Sequence, residues 1–165
     1  MENKQSKALL EVLVVEDNPK NKVAAQTFFD TQEGMRVDFA TTYEEGLRRL
    51  QENIYAAAIF DLELPRKEGN EPERLGFELG EEAKKLRVPF CILTGGFFHH
   101  GLTAKIYPMG DEALKENAPA GIEKTDPHAW EMAYQSILNI CPNPEEIVAA
   151  KRRYQQFIGK QYREG

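Results

Sequence analysis

Four short runs in this 165-residue chain stop at residues able to do chemistry. The run 9–15 gives way to Glu16 and Asp17, 56–60 to Asp61, 89–93 to Thr94, and 120–123 to Lys124. If each run is a strand of one parallel sheet, these ends meet beyond its carboxyl edge, where open α/β sheets gather functional groups. Three carboxylates there repel one another, since two unit charges about 4 Å apart interact by about 4 kcal/mol at an effective dielectric near 20. A hard divalent cation offsets that repulsion. Mg2+ suits the role because it takes oxygen ligands, keeps several waters and needs only one or two protein carboxylates. Lys124 brings a second positive charge, and Thr94 a hydroxyl. Such a set is what phosphoryl transfer to an aspartate requires, because that chemistry is mostly positioning and charge neutralisation, and Asp61 is then the nucleophile.

The elements that must position these groups alternate between β-rich apolar runs and helical periodicity, the pattern of a parallel sheet covered on both faces. After the first strand, Asn18 caps a helix with Pro19 in its first turn and Val23, Ala24, Thr27 and Phe28 on one face. A second strand fits 35–40. Thr42 and Glu45 then form a capping-box pattern for a helix buried through Tyr43, Leu47 and Leu50. Beyond Asp61, the stretch 65–74 holds two prolines and a glycine and reads as a long loop. Leu75, Leu79, Ala83 and Leu86 mark the third helix, and the fourth strand, 89–93, runs into Thr94 and a Gly95-Gly96 pair. Within 97–120 only 111–117 looks helical. A fifth strand over 120–123 precedes a helix opened by Asp126 and Pro127, with a stripe of Trp130, Ala133, Tyr134, Ile137 and Leu138. Asn143 and Pro144 open a last helix carrying Ile147, Lys151, Tyr154, Ile158 and Tyr162. The expected fold is therefore α/β: a doubly wound, flavodoxin-like sheet of five parallel strands in the order 2-1-3-4-5, with an extra C-terminal helix. It divides into a domain over 1–140 and a helical extension over 141–165.

Composition bounds the function. With 21 Lys+Arg against 27 Asp+Glu the net charge is −6, which argues against direct nucleic-acid binding, since that depends on cations neutralising phosphates. No apolar stretch approaches the roughly 20 residues that span a bilayer, and MENKQSK does not start a signal peptide, so a soluble, cytoplasmic protein is expected. Cys91 and Cys141 are fifty positions apart and form no zinc or disulfide pattern.

The residues now resemble a known family, the receiver domains of two-component response regulators. VLVVEDN (12–18), IFDLELP (59–65), ILTGG (92–96) and IEK (122–124) look like its four signature blocks in order, over roughly residues 8 to 140. The resemblance implies Asp61 as phosphoacceptor, with Mg2+ held by Asp17, by Glu16 as its acidic neighbour, by Asp61 and by the backbone carbonyl of Glu63. It also implies Thr94 as the hydroxyl that bonds the phosphoryl group and Lys124 as the cation paired with Asp61. The implied partners are a histidine kinase or phosphotransfer protein and a downstream protein target. Three departures stand out. Gly121 occupies the position of the usual aromatic switch, and Thr125 stands where a proline usually follows the lysine. Thr94 and Lys124 are also thirty positions apart, a longer interval than the family normally needs.

Two other readings use the same residues. One is a pseudo-receiver adaptor that signals without phosphate. The other is a haloacid-dehalogenase-like phosphatase, which FDLEL and ILTGG also resemble, although that family places a second Asp where Glu63 stands. The upstream VLVVEDN favours the receiver, so an enzyme is not expected. His99 and His100 read as an exposed loop rather than a metal site, and Phe97, Phe98 and Tyr107 as packing or a replacement switch. The segment 143–165 carries five basic and three acidic residues. It fits either a helix folded back on the domain or a dimer or partner helix using Ile147, Tyr154, Ile158 and Tyr162.

Overall fold

The structure is a computed structural model that describes residues 9–95 and 103–164, the side chains of 160–164 excepted. Four strands, β1 (Leu10–Val15), β2 (Met35–Ala40), β3 (Ala57–Phe60) and β6 (Phe90–Thr94), pair in parallel in the order β2-β1-β3-β6. This is the doubly wound order expected for the first four strands. Helices α1 (Pro19–Asp30) and α4 (Pro127–Ile140) cover one face, while α2 (Tyr43–Glu52) and α3 (Gly76–Lys85) cover the other. Because both faces are covered, the central strands carry apolar side chains on both sides, and Val12 to Val15 alternate between the two cores with no exposure at all.

The crossover helices begin where capping chemistry dictates. The Asn18 side chain accepts from the Lys20 amide, Thr42 from the Glu45 amide, and Asp126 from the His128 amide. Glu45 returns its carboxylate to the Thr41 amide, one residue before the position a strict capping box would use. In α1 the buried face is Asn21, Ala24, Ala25, Phe28 and Phe29, so Val23 and Thr27, expected inside, lie at the surface. The helix is phased by Asn21, whose side chain is tied to buried Glu16. Leu86 lies just past the end of α3 and is exposed.

The stretch 65–74 contains a small antiparallel ladder between β4 (Leu64–Pro65) and β5 (Pro72–Glu73). The larger correction concerns the fifth position in the sheet. No strand forms over 120–123. The place beside β6 is taken by β7 (Lys105–Pro108), which runs antiparallel, and β8 (Glu116–Asn117) adds to it. The expected helix over 111–117 is a single 3-10 turn, Glu112–Leu114, followed by β8. The physical cause is the long connection between Thr94 and Lys124. It returns along β6 as a hairpin arm whose alternation buries Ile106 and Pro108, then reverses at Met109 and Gly110, both at positive φ. The sheet therefore has four parallel strands and an antiparallel edge, an arrangement common among doubly wound folds. Phe97, Phe98, His99 and His100 lie outside the described residues.

The last helix, α5 (Pro144–Glu164), is anchored at its start by buried Val148 and by Lys151 Nζ, which donates to the Arg87 carbonyl at 2.8 Å. Its Tyr154 and Phe157 are exposed. Among the described residues, no helix is long and apolar enough to cross a membrane.

Candidate functional site

The carboxyl ends of β1, β3 and β6 deliver side chains to one cavity of about 280 Å3, lined by Glu16, Asp17, Asp61, Glu63, Thr94 and Lys124 with their neighbours. β1 ends at Val15, so Glu16 and Asp17 emerge together. The Asp61 amide donates to the Val15 carbonyl at 2.9 Å, which sets the end of β3 against the end of β1. Thr94 is the last residue of β6 and is buried at the cavity wall.

Lys124 reaches the same place without a strand. Its segment is fixed by the Ala104 amide, which donates to the Ile122 carbonyl at 2.8 Å, and by the Trp130 indole, which donates Nε1–H to the Lys124 carbonyl at 2.8 Å. Gly121 has φ +89°, the left-handed region that a side chain at Cβ disfavours. The glycine at the expected switch position thus serves the turn that leads to Lys124.

The electrostatics follow from burial. Glu16 is fully buried yet satisfied, its Oε1 accepting from Asn21 Nδ2 at 2.7 Å and its Oε2 from Lys124 Nζ at 2.6 Å. Lys124 Nζ also lies 3.1 Å from Asp61 Oδ1, so one ammonium bridges two carboxylates. Burial pushes the Asp61 carboxyl up from 3.8 to about 7, a rise that Lys124 opposes and that Glu16 and Asp17 reinforce. Asp17 is raised by burial first and then by the neighbouring Glu16 charge. For Lys124, burial works against the ammonium, but Asp61 and Glu16 outweigh it and hold its pKa above the usual lysine value.

Carboxylate oxygens of Glu16, Asp17 and Asp61 lie within 4.8 Å of one another. With Asp61 ionised, three carboxylates against one ammonium leave two negative charges at the cavity, so the donor set and its charge fit a hard divalent cation. Glu63 borders the cavity but is exposed and outside that cluster.

Sequence reasoning missed three contributors. Asn21 holds Glu16, and its one signal was its place on the buried helical face with Ala24 and Phe28. Trp130, expected only to pack, also secures Lys124. Gly76 is the third: a Cβ there would stand 2.4 Å from the Asp61 carbonyl oxygen and 2.8 Å from Leu62 Cα, so only glycine lets α3 begin against the Asp61 backbone.

No protein-family model matches the chain, and no curated protein does. Among solved structures, a response regulator receiver domain protein (CheY-like) from Methanospirillum hungatei is 30% identical, with a TM-score of 0.45, over 56% of this chain and 69% of its own. A second, a yeast trimeric coiled-coil segment fused to another solved structure, is 14% identical with a TM-score of 0.54, over 96% of this chain and 99% of its own, a likeness of fold alone.

Proposed function

We propose that this chain is a phosphoacceptor of a two-component relay, taking a phosphoryl group on Asp61 from a histidine kinase or phosphotransfer protein and altering its binding to a downstream protein. The observation that supports this best is the single ammonium of Lys124 bridging buried Glu16 and Asp61 beside Asp17, in a cavity at the carboxyl ends of the strands. Lys124 holds Asp61 Oδ1, which aims the carboxylate. An Asp61 oxygen attacks the phosphorus of the donor as the bond from phosphorus to the leaving nitrogen or oxygen breaks, and the leaving group carries away the electron pair and is protonated. Mg2+, held by Asp17, Asp61, the Glu63 carbonyl and, through water, Glu16, supplies charge neutralisation for the transferring group when bound. Thr94, at the cavity wall, hydrogen-bonds the new phosphoryl oxygens, and the phosphoryl group leaves Asp61 about one unit more negative than the carboxylate it replaces, a new charge for Thr94 and Lys124 to answer.

One observation favours a second reading. Gly121 leaves no aromatic side chain at the usual switch position, which suits an adaptor that signals without phosphate.

The test is incubation with Mg2+ and acetyl phosphate or beryllofluoride, followed by intact-mass or fluorine NMR detection. A stable adduct that disappears in Asp61→Asn supports the phosphoacceptor. Absence of any adduct refutes it in favour of the adaptor, and steady turnover of phosphomonoesters refutes it in favour of a phosphatase.

A further inference from the structure

The amino ends of the strands, at the opposite edge of the sheet from Asp61, carry a second and larger cavity. It is a groove of about 960 Å3 between the C-terminal ends of α2 and α3 and one face of α5. Leu50 and Ile54 line it from the α2 side, Leu86 from the α3 side, and Ile147, Tyr154 and Ile158 from α5. The three α5 residues fall at helical spacing along one stripe. From Ile147 to Ile158 that stripe runs about 16 Å, three turns at 1.5 Å per residue. Part of the lining is open to solvent, with Tyr154 65% and Leu86 37% exposed, and Phe157 on the same helix is 57% exposed.

The charge of the groove runs against the chain as a whole. The protein carries −6, yet among the described residues the charged ones lining the groove are Lys85, Arg87 and Lys151, with no carboxylate. Lys85 is neutralised by Glu82 at 3.1 Å. Lys151 spends one proton on the Arg87 carbonyl, and among the described residues neither Lys151 nor Arg87 meets a carboxylate in an ion pair. Burial and the adjacent Arg87 charge push the Lys151 pKa below its usual value, so the two cations sit uncompensated beside an apolar floor.

We propose that this groove docks an amphipathic helix of a partner protein, its apolar face laid along the Ile147–Tyr154–Ile158 stripe and its acidic residues facing Arg87 and Lys151. A helix of about three turns offers apolar anchors at i, i+3 or i+4, and i+7, which matches the length of the stripe. Exposed Tyr154 has the large, rigid, amphipathic surface that commonly anchors such contacts. A second copy presenting its own α5 would bring Lys151, Arg152 and Arg153 against the same cations, so charge disfavours it. The proposal does not depend on phosphorylation at Asp61, and either can fail while the other stands.

The test titrates the full-length, isotope-labelled chain with synthetic peptides of about 14 residues that share a leucine stripe at helical spacing on a glutamate or a lysine background. The glutamate peptide is expected to shift amides in 50–54, 85–88 and 147–158, and to bind more weakly as salt is raised. Tyr154→Ser and Arg87→Asn should each weaken it by roughly fivefold or more. Tyr154 is exposed and Asn tolerates the positive φ of Arg87, so both variants fold. Equal binding of the lysine peptide, shifts on another face, no shift at all, or indifference to both substitutions overturns the proposal. So does self-association through the same amides, or binding to phosphatidylserine vesicles in place of the peptide.

Discussion

Replacing Asp61 by Asn should make the metal-free protein more stable at pH 8, even though it removes the proposed phosphoacceptor. In the folded chain burial holds the Asp61 carboxyl at about 7 instead of 3.8. Between those values the native state keeps a proton that the unfolded chain has released, so stability falls as the pH rises through this window and the loss is complete above about 7. The interval is about three pH units. At about 1.4 kcal/mol per unit, that gives a ceiling near 4 kcal/mol for the cost of an ionised Asp61 in the metal-free fold. Asparagine keeps an oxygen to accept from Lys124 and cannot ionise, while Lys124 retains Glu16 at 2.6 Å. For a chain of this length 1 kcal/mol moves Tm by roughly 2–4 °C, so the ceiling corresponds to roughly 8–16 °C.

The assay is thermal unfolding of both proteins in a chelator at pH 4.5, 6, 7 and 8, repeated with millimolar Mg2+. The two curves should nearly coincide at pH 4.5 and separate in favour of Asp61→Asn as the pH rises. With Mg2+ at pH 8, wild type should gain stability and Asp61→Asn should gain little, since a cation bound only by the native state stabilises it by mass action. A variant that is less stable than wild type at pH 8 without metal, or a difference that ignores pH, refutes the argument that Asp61 is held against a charge deficit.

Other substitutions probe the supports of the site. Lys124→Met strands two buried carboxylates and should cost about 3–5 kcal/mol at pH 8, read by denaturant unfolding, with part regained on acidification. In wild type the raised Lys124 pKa contributes stability that is fully present below 10.5 and is lost as the pH rises from there through its folded value, so alkaline unfolding should steepen above 10.5 in wild type and not in the variant. Gly76→Ala should destabilise by about 1–3 kcal/mol in the same measurement despite alanine's better helix propensity of about 1 kcal/mol, because the added Cβ meets the Asp61 backbone at 2.4 Å. Trp130 is the one tryptophan, and its ring lies 5.9 Å from Lys124 Nζ, so its fluorescence should change on adding Mg2+ or beryllofluoride, and that change should vanish in Asp61→Asn.

The order of the first four strands, and the gathering of Glu16, Asp17, Asp61, Thr94 and Lys124 in one cavity, were legible because each rests on local rules. Buried parallel strands must be apolar throughout, as 12–15, 57–60 and 90–93 are, and their polar stops announce the carboxyl edge. The fifth position was not legible. β7 has only four residues, one of them Pro108, and its pairing with β6 is set by tertiary register rather than propensity. The apparent strand over 120–123 lost to Gly121, whose positive φ needs a turn. In α1 the face was misjudged by one position, since Val23 is apolar in type but Asn21 is needed inside by Glu16. Buried polar residues of that kind are chosen by their partner, which hydrophobic periodicity does not reveal.

The rerouted fifth position also changes what a charge at Asp61 would move. A lysine on a regular strand is held by a ladder of hydrogen bonds on both sides. The backbone around Lys124 is instead tied to other elements by the Trp130 indole on the Lys124 carbonyl and the Ala104 amide on the Ile122 carbonyl. Trp130 stands in the first turn of α4, and Ala104 immediately precedes β7. The Lys124 segment is thereby tied to the start of α4 and to the edge hairpin, and neither tie involves a side chain at position 121. Thr94 meets the same hairpin from the other side, because it pairs across the ladder with Lys105. Under the proposed function the two groups that contact the phosphoryl converge on one exposed antiparallel edge, β7 with β8, and that edge, rather than a switch side chain, is where phosphorylation would be read.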